Sequence, residues 1–292
     1  MINNIKDRFT NYLNKSTEIL GINERNVSLI YPNNDRKYYK LADDKVLTKH
    51  LLQKHFIDCA KTYAVIERVG DIQQKWQTIT TYKSIAIKPA NGSGGGGIKI
   101  LRKNTNNQWC CYGMPVDEEQ IFLHMASIIM GRYSLGSDDR VLIEECIEPH
   151  PFFYEIYPEG VPDFRVILLN EKPLMAMLRV PTDQSDGKAN LHQGGLGIGI
   201  DMEKGKLQYG YDGKNYFKTH PNNNNEIFGK RIPYWEQILA ISVRVAKHFP
   251  LQYLGVDIVI DKNHGPLIME VNVRPGLGIQ MANREGLKKI LN

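Results

Sequence analysis

The sequence predicts an α+β fold built on largely antiparallel sheets, and three observations carry that expectation. Strand-like apolar runs outnumber helix-like ones and arrive as neighbours, which argues against a doubly wound parallel sheet. The stretch KPANGSGGGGIKI, residues 88–100, places five glycines within six positions between two short apolar runs. Near the end of the chain, GVDIVIDKNHGPLIMEVNVRPG reads as two alternating strands around a turn at Asp261 to Gly265. With 292 residues, 42% hydrophobic and 24% charged, the chain has material for one large core or two lobes, and general disorder is excluded.

Taken in order, the first forty residues are polar and helix-leaning, broken by the turn Pro32-Asn33-Asn34-Asp35. A helix starting at Asp43 or Asp44 is expected to turn Leu47, Leu51, Leu52 and Phe56 inward. Ser84 to Lys88 reads as a short buried strand, with Ile98 to Leu101 its successor across the glycines. Asp117 with Gln120 resembles a capping box, opening a helix through Ile121, Met125 and Ile128 to Gly131. Strands are expected at Val141 to Ile143, Phe164 to Leu169, Leu174 to Arg179, Gly197 to Ile200, Gly255 to Ile260 and Pro266 to Asn272. A helix introduced by Pro233 carries Trp235, Ile238, Leu239, Val245 and Phe249 on one side. Residues 203–231, rich in Asn, Gly and Tyr, read as a long loop.

The net charge of +5 is mild, and most of it lies in residues 1–61, where eleven Lys/Arg face seven Asp/Glu. Those charges are scattered, so a solvated basic surface is the expectation, and no nucleic-acid partner is. No apolar run approaches the roughly 20 residues of a membrane span. The start, MINNIKDRFTNYLNK, lacks the apolar core of a signal peptide. Cys59, Cys110, Cys111 and Cys146 form no C-x-x-C pair, which suits reduced thiols in a cytoplasmic protein.

Three phosphate-binding loops can be compared with the glycine run. A P-loop ends in Lys-Ser/Thr and opens a helix, as does a Rossmann loop in its own way; here IKIL follows and is strand-like. A kinase loop is strand–loop–strand, but its lysine follows the glycines, and no H-R-D or D-F-G is present. What remains is a glycine flap between two strands, with Lys88 on the strand that enters it. Bare N–H groups and a lysine together suit an anion; a plain flexible hairpin is the competing reading.

In the C-terminal pair, a turn centred between Asn263 and His264 sets Asp257 opposite Glu270, with Asn272 on the same face. Facing carboxylates repel unless a cation lies between them, and Asp, Glu and Asn offer the hard oxygens that suit Mg²⁺. A solvated strand face balanced by Lys262 is the alternative, and a longer turn would remove the pairing.

Together these pieces suggest nucleotide–magnesium chemistry, and here the sequence resembles a family. Lys88-Pro89 with its flap, Val141 to Glu145, Asp163-Phe164-Arg165, Asn190 to Gly195 and Asp257…Glu270-Val271-Asn272 look like successive motifs of ATP-grasp enzymes. The branch most similar is the α-L-glutamate ligase-related, or sugar-transfer-associated, ATP-grasp group. That likeness extends to Gly21 to Asn26, Asp43 to Lys49, Met175 to Arg179 and Ser185 to Asn190, and covers roughly residues 21–292.

The resemblance implies two α+β lobes with ATP between them. A short helical extension would occupy residues 1–43, a small lobe 44–143 and a large lobe 144–292. A carboxylate would take the γ-phosphoryl group and an amine or other nucleophile would then displace phosphate. By resemblance, Lys45 and Lys88 reach the phosphates beneath Gly94, Gly95, Gly96 and Gly97. Glu144, Glu145, Cys146, Ile147 and Glu148 hold adenine and ribose. Arg165, Arg179, Asn190 and His192, with Asp163, surround the γ-phosphate and acceptor carboxylate. Asp257, Glu270 and Asn272 bind Mg²⁺, with Glu270 bridging two ions, and Arg274 meets the acyl phosphate. Only about 43 residues precede Lys45, where many relatives carry a full α/β domain. The acceptor site is therefore expected to suit a peptide or glycan-linked partner, or to be completed by another subunit. Two other readings stay open: an ATP-grasp phosphotransferase, and a non-catalytic nucleotide- or anion-binding module.

Overall fold

The computed structural model describes residues 17–291 apart from Ser93, Asp186 and Lys188. The chain forms two compact units, one of residues 43–54 and 58–147, the other of 17–42, 55–57 and 148–291.

In the first unit, helix α1 (Lys45–Lys54) is followed by β1 (Thr62–Ile66), α2 (Ile72–Ile79), β2 (Ser84–Pro89) and β3 (Lys99–Lys103). Short strands β4 (Trp109–Cys111) and β5 (Met114–Pro115) lead to α3 (Glu118–Ile129) and β6 (Val141–Glu144). The sheet is antiparallel with order β1-β6-β2-β3-β4-β5. One face carries Ile85, Ile87 and Ile143 against Trp76 of α2 and Met125 of α3. On the other, Val46 packs with Ala90 and Leu142. The Asp117 capping box is present, satisfying two orphan donors at the start of α3. Of the face expected for α1, Leu52 is buried and Leu47 and Leu51 are half-buried, but Phe56 is exposed at positive φ beyond the helix end, and Val46, Thr48 and Lys49 are buried as well. The apolar stripe is diluted there because a buried ion pair claims one of its positions.

The second unit contains β7 (Asp163–Leu169), β8 (Lys172–Val180), β9 (Leu196–Asp201), β10 (Lys206–Tyr211) and β11 (Tyr216–Phe217). Helix α4 (Trp235–His248), β12 (Tyr253–Asp261), β13 (Gly265–Asn272) and α5 (Gly278–Asn283) follow. Its sheet is antiparallel, ordered β11-β10-β9-β8-β7-β12-β13. The α+β class and antiparallel sheets expected from sequence are therefore observed. The long loop expected over 203–231 instead contains β10 and β11. The Gly210 position takes part in pairing on both sides of β10, so its glycine and tyrosine content belongs to a strand. Helix α5 lies so close to the sheet that a Cβ at Gly199 would stand 2.5 Å from the Ala282 carbonyl oxygen.

The N-terminal segment is not a separate extension within its described part; residues 17–42 join the larger unit. Two reciprocal clasps hold it. Leu20 N–H donates to Gln280 Oε1 at 2.8 Å while Gln280 Nε2 donates to the Leu20 carbonyl at 3.1 Å. Asn34 Nδ2 donates to the Tyr253 carbonyl at 2.6 Å while Tyr253 N–H donates to Asn34 Oδ1 at 3.0 Å. Residues 1–16 of the expected extension lie outside the described residues.

Candidate active site

In the smaller unit, Asp44 accepts from the Val46 and Leu47 N–H groups at 3.0 and 3.2 Å, capping α1 and placing Lys45 in its first turn. Lys45 Nζ donates to the Gly92 carbonyl at 2.6 Å, so it is held against the base of the glycine flap. The flap is tied at both ends. Asn91 N–H and Nδ2 donate to the buried Asp139 carboxylate at 3.1 and 2.8 Å. His124 Nε2 is 3.0 Å from the Gly97 carbonyl oxygen. Gly97 has φ +76, and a Cβ there would meet the Tyr133 ring at 2.7 Å, so only glycine fits without displacement. Burial, with Lys99 adding to it, lowers the His124 pKa to about 4 and keeps the imidazole neutral near pH 7.

Beneath the flap strand, Lys88 and Glu144 form an ion pair, and Lys49 Nζ lies 2.7 Å from the same carboxylate while donating to the Ala60 carbonyl. All three side chains are buried. Burial alone would raise the Glu144 pKa; Lys88 and Lys49 outweigh it and hold it below the usual range. The carboxylate of Glu144, expected at adenine and ribose, is engaged by two lysines. Glu145 accepts from the Lys61 N–H at 3.4 Å, Cys146 is buried and Ile147 half-buried. Glu148 belongs to the other unit, where it pairs with Lys262 at 2.5 Å.

The larger unit assembles its site by register across four strands. Arg179 on β8 stands opposite Asp163 on β7, Arg165 on β7 opposite Asp257 on β12, and Asp257 opposite Glu270 on β13. Arg179 grips Asp163 through Nε and Nη2 at 2.5 and 2.8 Å, and its Nη2 also reaches Asp257 Oδ2 at 2.7 Å. Arg165 grips Asp257 in the same bidentate manner at 2.8 and 2.6 Å, and Asn272 Nδ2 donates to Asp257 Oδ2 at 3.2 Å. Every residue of β12 is buried, so a charge at Asp257 requires such partners. Burial opposes its ionisation, but the two guanidinium groups prevail and hold its pKa down. Asp163 is shifted the other way, by burial and by the neighbouring Asp257 charge, beyond what Arg179 offsets.

The expected Asp257–Glu270 pairing is present by a different route. Asp261 pairs with Gly265, so the turn is centred on Asn263, one half-step from the expected centre. A register shift between Asp257 and Ile258 leaves Met269 as an extra residue, and this bulge restores the match. Arg165 reaches the same carboxylate from the other side, through the uninterrupted β7–β12 register.

Other candidates are placed less centrally. A Cβ at Gly276 would lie 3.7 Å from Arg165 Nη1 and 3.9 Å from His192 Nε2, so the exposed His192 borders the same space. Asn190 uses its side chain to cap the turn Leu191–Gln193, accepting from the His192 N–H at 3.1 Å. Arg274 does not continue the face of Asn272. Strand β13 ends at Asn272, so strand parity no longer applies, and the exposed Arg274 lies over the Tyr39 ring at 4.9 Å. The Ser185 to Asn190 motif includes Asp186 and Lys188, which lie outside the described residues. Lys49, Asp139 and His124 were missed as site residues. Only Lys49 sat inside a motif already singled out, and its burial was hidden by an otherwise ordinary helical lysine pattern.

A family model for sugar-transfer associated ATP-grasp proteins matches residues 24–292. The chain belongs to this family. Among curated relatives, a probable alpha-L-glutamate ligase of Legionella pneumophila (strain Corby) is 29% identical over 130 residues, 44% of this chain and 30% of the relative. Another from Azotobacter vinelandii is 28% identical over 158 residues, 54% of this chain and 38% of the relative. The chain thus matches about a third of the length of these relatives. A solved structure of a D-alanine–D-alanine ligase from Bacillus anthracis is similar with a TM-score of 0.49 and 15% identity, covering 86% of this chain and 65% of that one. As a member of the ATP-grasp superfamily, the chain has the ATP-grasp fold. Among the described residues, no helix is long and apolar enough to cross a membrane.

Proposed function

We propose that the chain is an ATP- and Mg²⁺-dependent ligase that activates a carboxylate as an acyl phosphate and joins it to an amine or related nucleophile. The observation that carries this reading is the registered set Arg179–Asp163, Arg165–Asp257 and Asp257–Glu270 with Asn272, four strands converging on one patch. Asp257, Glu270 and Asn272 fit a hard divalent ion by donor type, and they are the residues that would hold it. Asp257 already accepts from both arginines, so accommodating an ion requires it to exchange at least one of those donors. When bound, the ion would neutralise charge developing on the transferred phosphoryl group.

The residues of the chain then have separable tasks. Lys88 and Lys49 bring two buried positive charges against one carboxylate, an imbalance suited to phosphate. The flap, with its ends fixed by Asp139 and His124, presents backbone N–H groups to the same anion. Arg165, with Nε and Nη2 on Asp257 and Nη1 toward Gly276, is oriented to receive an acceptor carboxylate beside His192. Holding these forks in place before reaction reduces the reorganisation the transition state demands. A need for ATP suits a cytoplasmic location.

Glu270→Ala is the direct test. The variant should fold as the parent does by circular dichroism yet release no ADP above background, measured with amino acid and glycan acceptors. Full turnover would remove the metal assignment. Mass spectrometry of products then separates a condensed product from a merely phosphorylated one, which would indicate the phosphotransferase reading.

A further inference from the structure

Arg25 is a buried arginine with no acid paired to it among the described residues. Its Nη1 donates to the Pro275 carbonyl at 2.8 Å, and its Nε and Nη2 donate to Asn26 Oδ1 at 3.2 and 2.8 Å. Those acceptors are neutral, and among the described residues no carboxylate pairs with it. The adjacent acid, Glu24, is engaged by Lys288 at 2.8 Å. Three of the five N–H donors of a guanidinium are thereby used, leaving one on each terminal nitrogen. A buried cation supplied only with neutral acceptors is costly, which calls for a reason beyond anchoring the chain.

A second observation lies beside it. Tyr253 is fully buried, and its hydroxyl has no hydrogen-bond partner among the described residues. Burial raises its pKa to about 12, so the group remains a donor. Tyr253 shares a face of β12 with Gly255, which lies under the same Pro275 whose carbonyl accepts from Arg25. Buried hydroxyls without partners are rare in folded proteins. Arg274, whose neighbour Pro275 receives the Arg25 hydrogen bond, adds a second positive charge near Arg25 and is itself exposed. Pro275 in turn covers Gly255, where a Cβ would stand 2.6 Å from its ring.

We infer that Arg25 and the Tyr253 hydroxyl, with Arg274 at the mouth, form an oxyanion-binding subsite for a carboxylate or phosphate group. The segment Arg274-Pro275-Gly276 runs from this subsite to the Arg165 and His192 nitrogens at Gly276. Two successive Cα steps span at most about 7.6 Å. The anion is therefore a second charged group of the molecule activated at Arg165, and the acceptor carries two anionic groups rather than one. That last identification rests on the ligase reading; the subsite itself does not.

Tyr253→Phe removes one oxygen and leaves the ring, so it tests the subsite without cutting the core. The full chain and the variant are titrated calorimetrically with glutarate and, separately, with inorganic phosphate at constant ionic strength. Affinity for one of them should fall roughly tenfold or more, as expected for loss of a hydrogen bond to a charged group. A fall for glutarate alone assigns a carboxylate and a fall for phosphate alone a phosphate; a fall for both assigns an oxyanion site that accepts either. Arg25→Gln should weaken the same anion further. The thermal midpoint of Tyr253→Phe without anion should be unchanged or higher, because an unpartnered buried hydroxyl is removed. Equal affinities in parent and variant, or a lowered midpoint, would overturn the subsite. MgATP is titrated in parallel with both proteins. If the parent fails to bind it, the ligase reading falls while the subsite is judged on the anions alone; unchanged binding in the variant keeps the two questions apart.

Discussion

Two buried ionic clusters, one in each unit, differ in how their charges are counted. In the smaller unit Lys49 and Lys88 share the single carboxylate of Glu144, while in the larger unit Arg165 and Arg179 share two, Asp163 and Asp257. The lysines are point charges on flexible stems, free to turn toward an arriving anion. The arginines are planar forks locked edge to edge with carboxylates. The contrast separates two kinds of preorganisation. On the ligase reading proposed above, the first cluster would offer unbalanced charge to a phosphate and the second fixed geometry to a metal and an acceptor.

The comparison can be broken most directly at its poorer side. Glu144→Gln leaves two buried lysines with no counter-charge and should cost about 3–5 kcal/mol in urea denaturation. Asp257→Asn should cost less, about 3 kcal/mol, because Asp163 still holds Arg179. It should also abolish ADP formation, measured by a coupled assay. If the two variants were equally unstable, charge balance would not be what distinguishes the clusters.

Smaller effects sharpen the flap's part. Gly97→Ala combines positive φ with a 2.7 Å approach to Tyr133 and should lower stability by about 1–2 kcal/mol, read from the thermal midpoint. Its larger consequence should be a raised KM for ATP, because the flap can no longer rest on the Tyr133 ring. His124 supplies the smallest term. Its folded pKa of about 4 lies below the ordinary 6.5, so the unfolded chain binds the proton first as pH falls. Stability is therefore lost on acidification below pH 6.5, by about 1 kcal/mol on reaching pH 5.5. That part of the slope should vanish in His124→Gln when midpoints are compared across the range.

How far the site was legible differs from residue to residue. The pairing of Asp257 with Glu270 could be read from strand alternation, although it depends on a bulge at Met269 that no local pattern announces. Lys88 could be placed under the flap because a strand end and a glycine run are neighbours in sequence. Its partner could not, since Glu144 lies 56 positions away and meets it only where β6 enters between β1 and β2. Asp163 invited pairing with Arg165, two residues on the same face, yet it took Arg179 across the hairpin and left Arg165 to β12. Arg274 lies two residues past Asn272, but alternation cannot place it on the same face because the strand ends at Asn272.

By itself the sequence determined the α+β class, most strands, the α3 cap, the glycine flap and the oxygen set at the end of the chain. These are local properties, written in the period of apolar residues and the chemistry of turns. Tertiary structure alone decided which charges meet: Lys49 with Glu144, and Arg179 with both aspartates. A buried ion finds its counter-charge through the order of strands in a sheet, and that order is fixed by how cores close rather than by spacing along the chain.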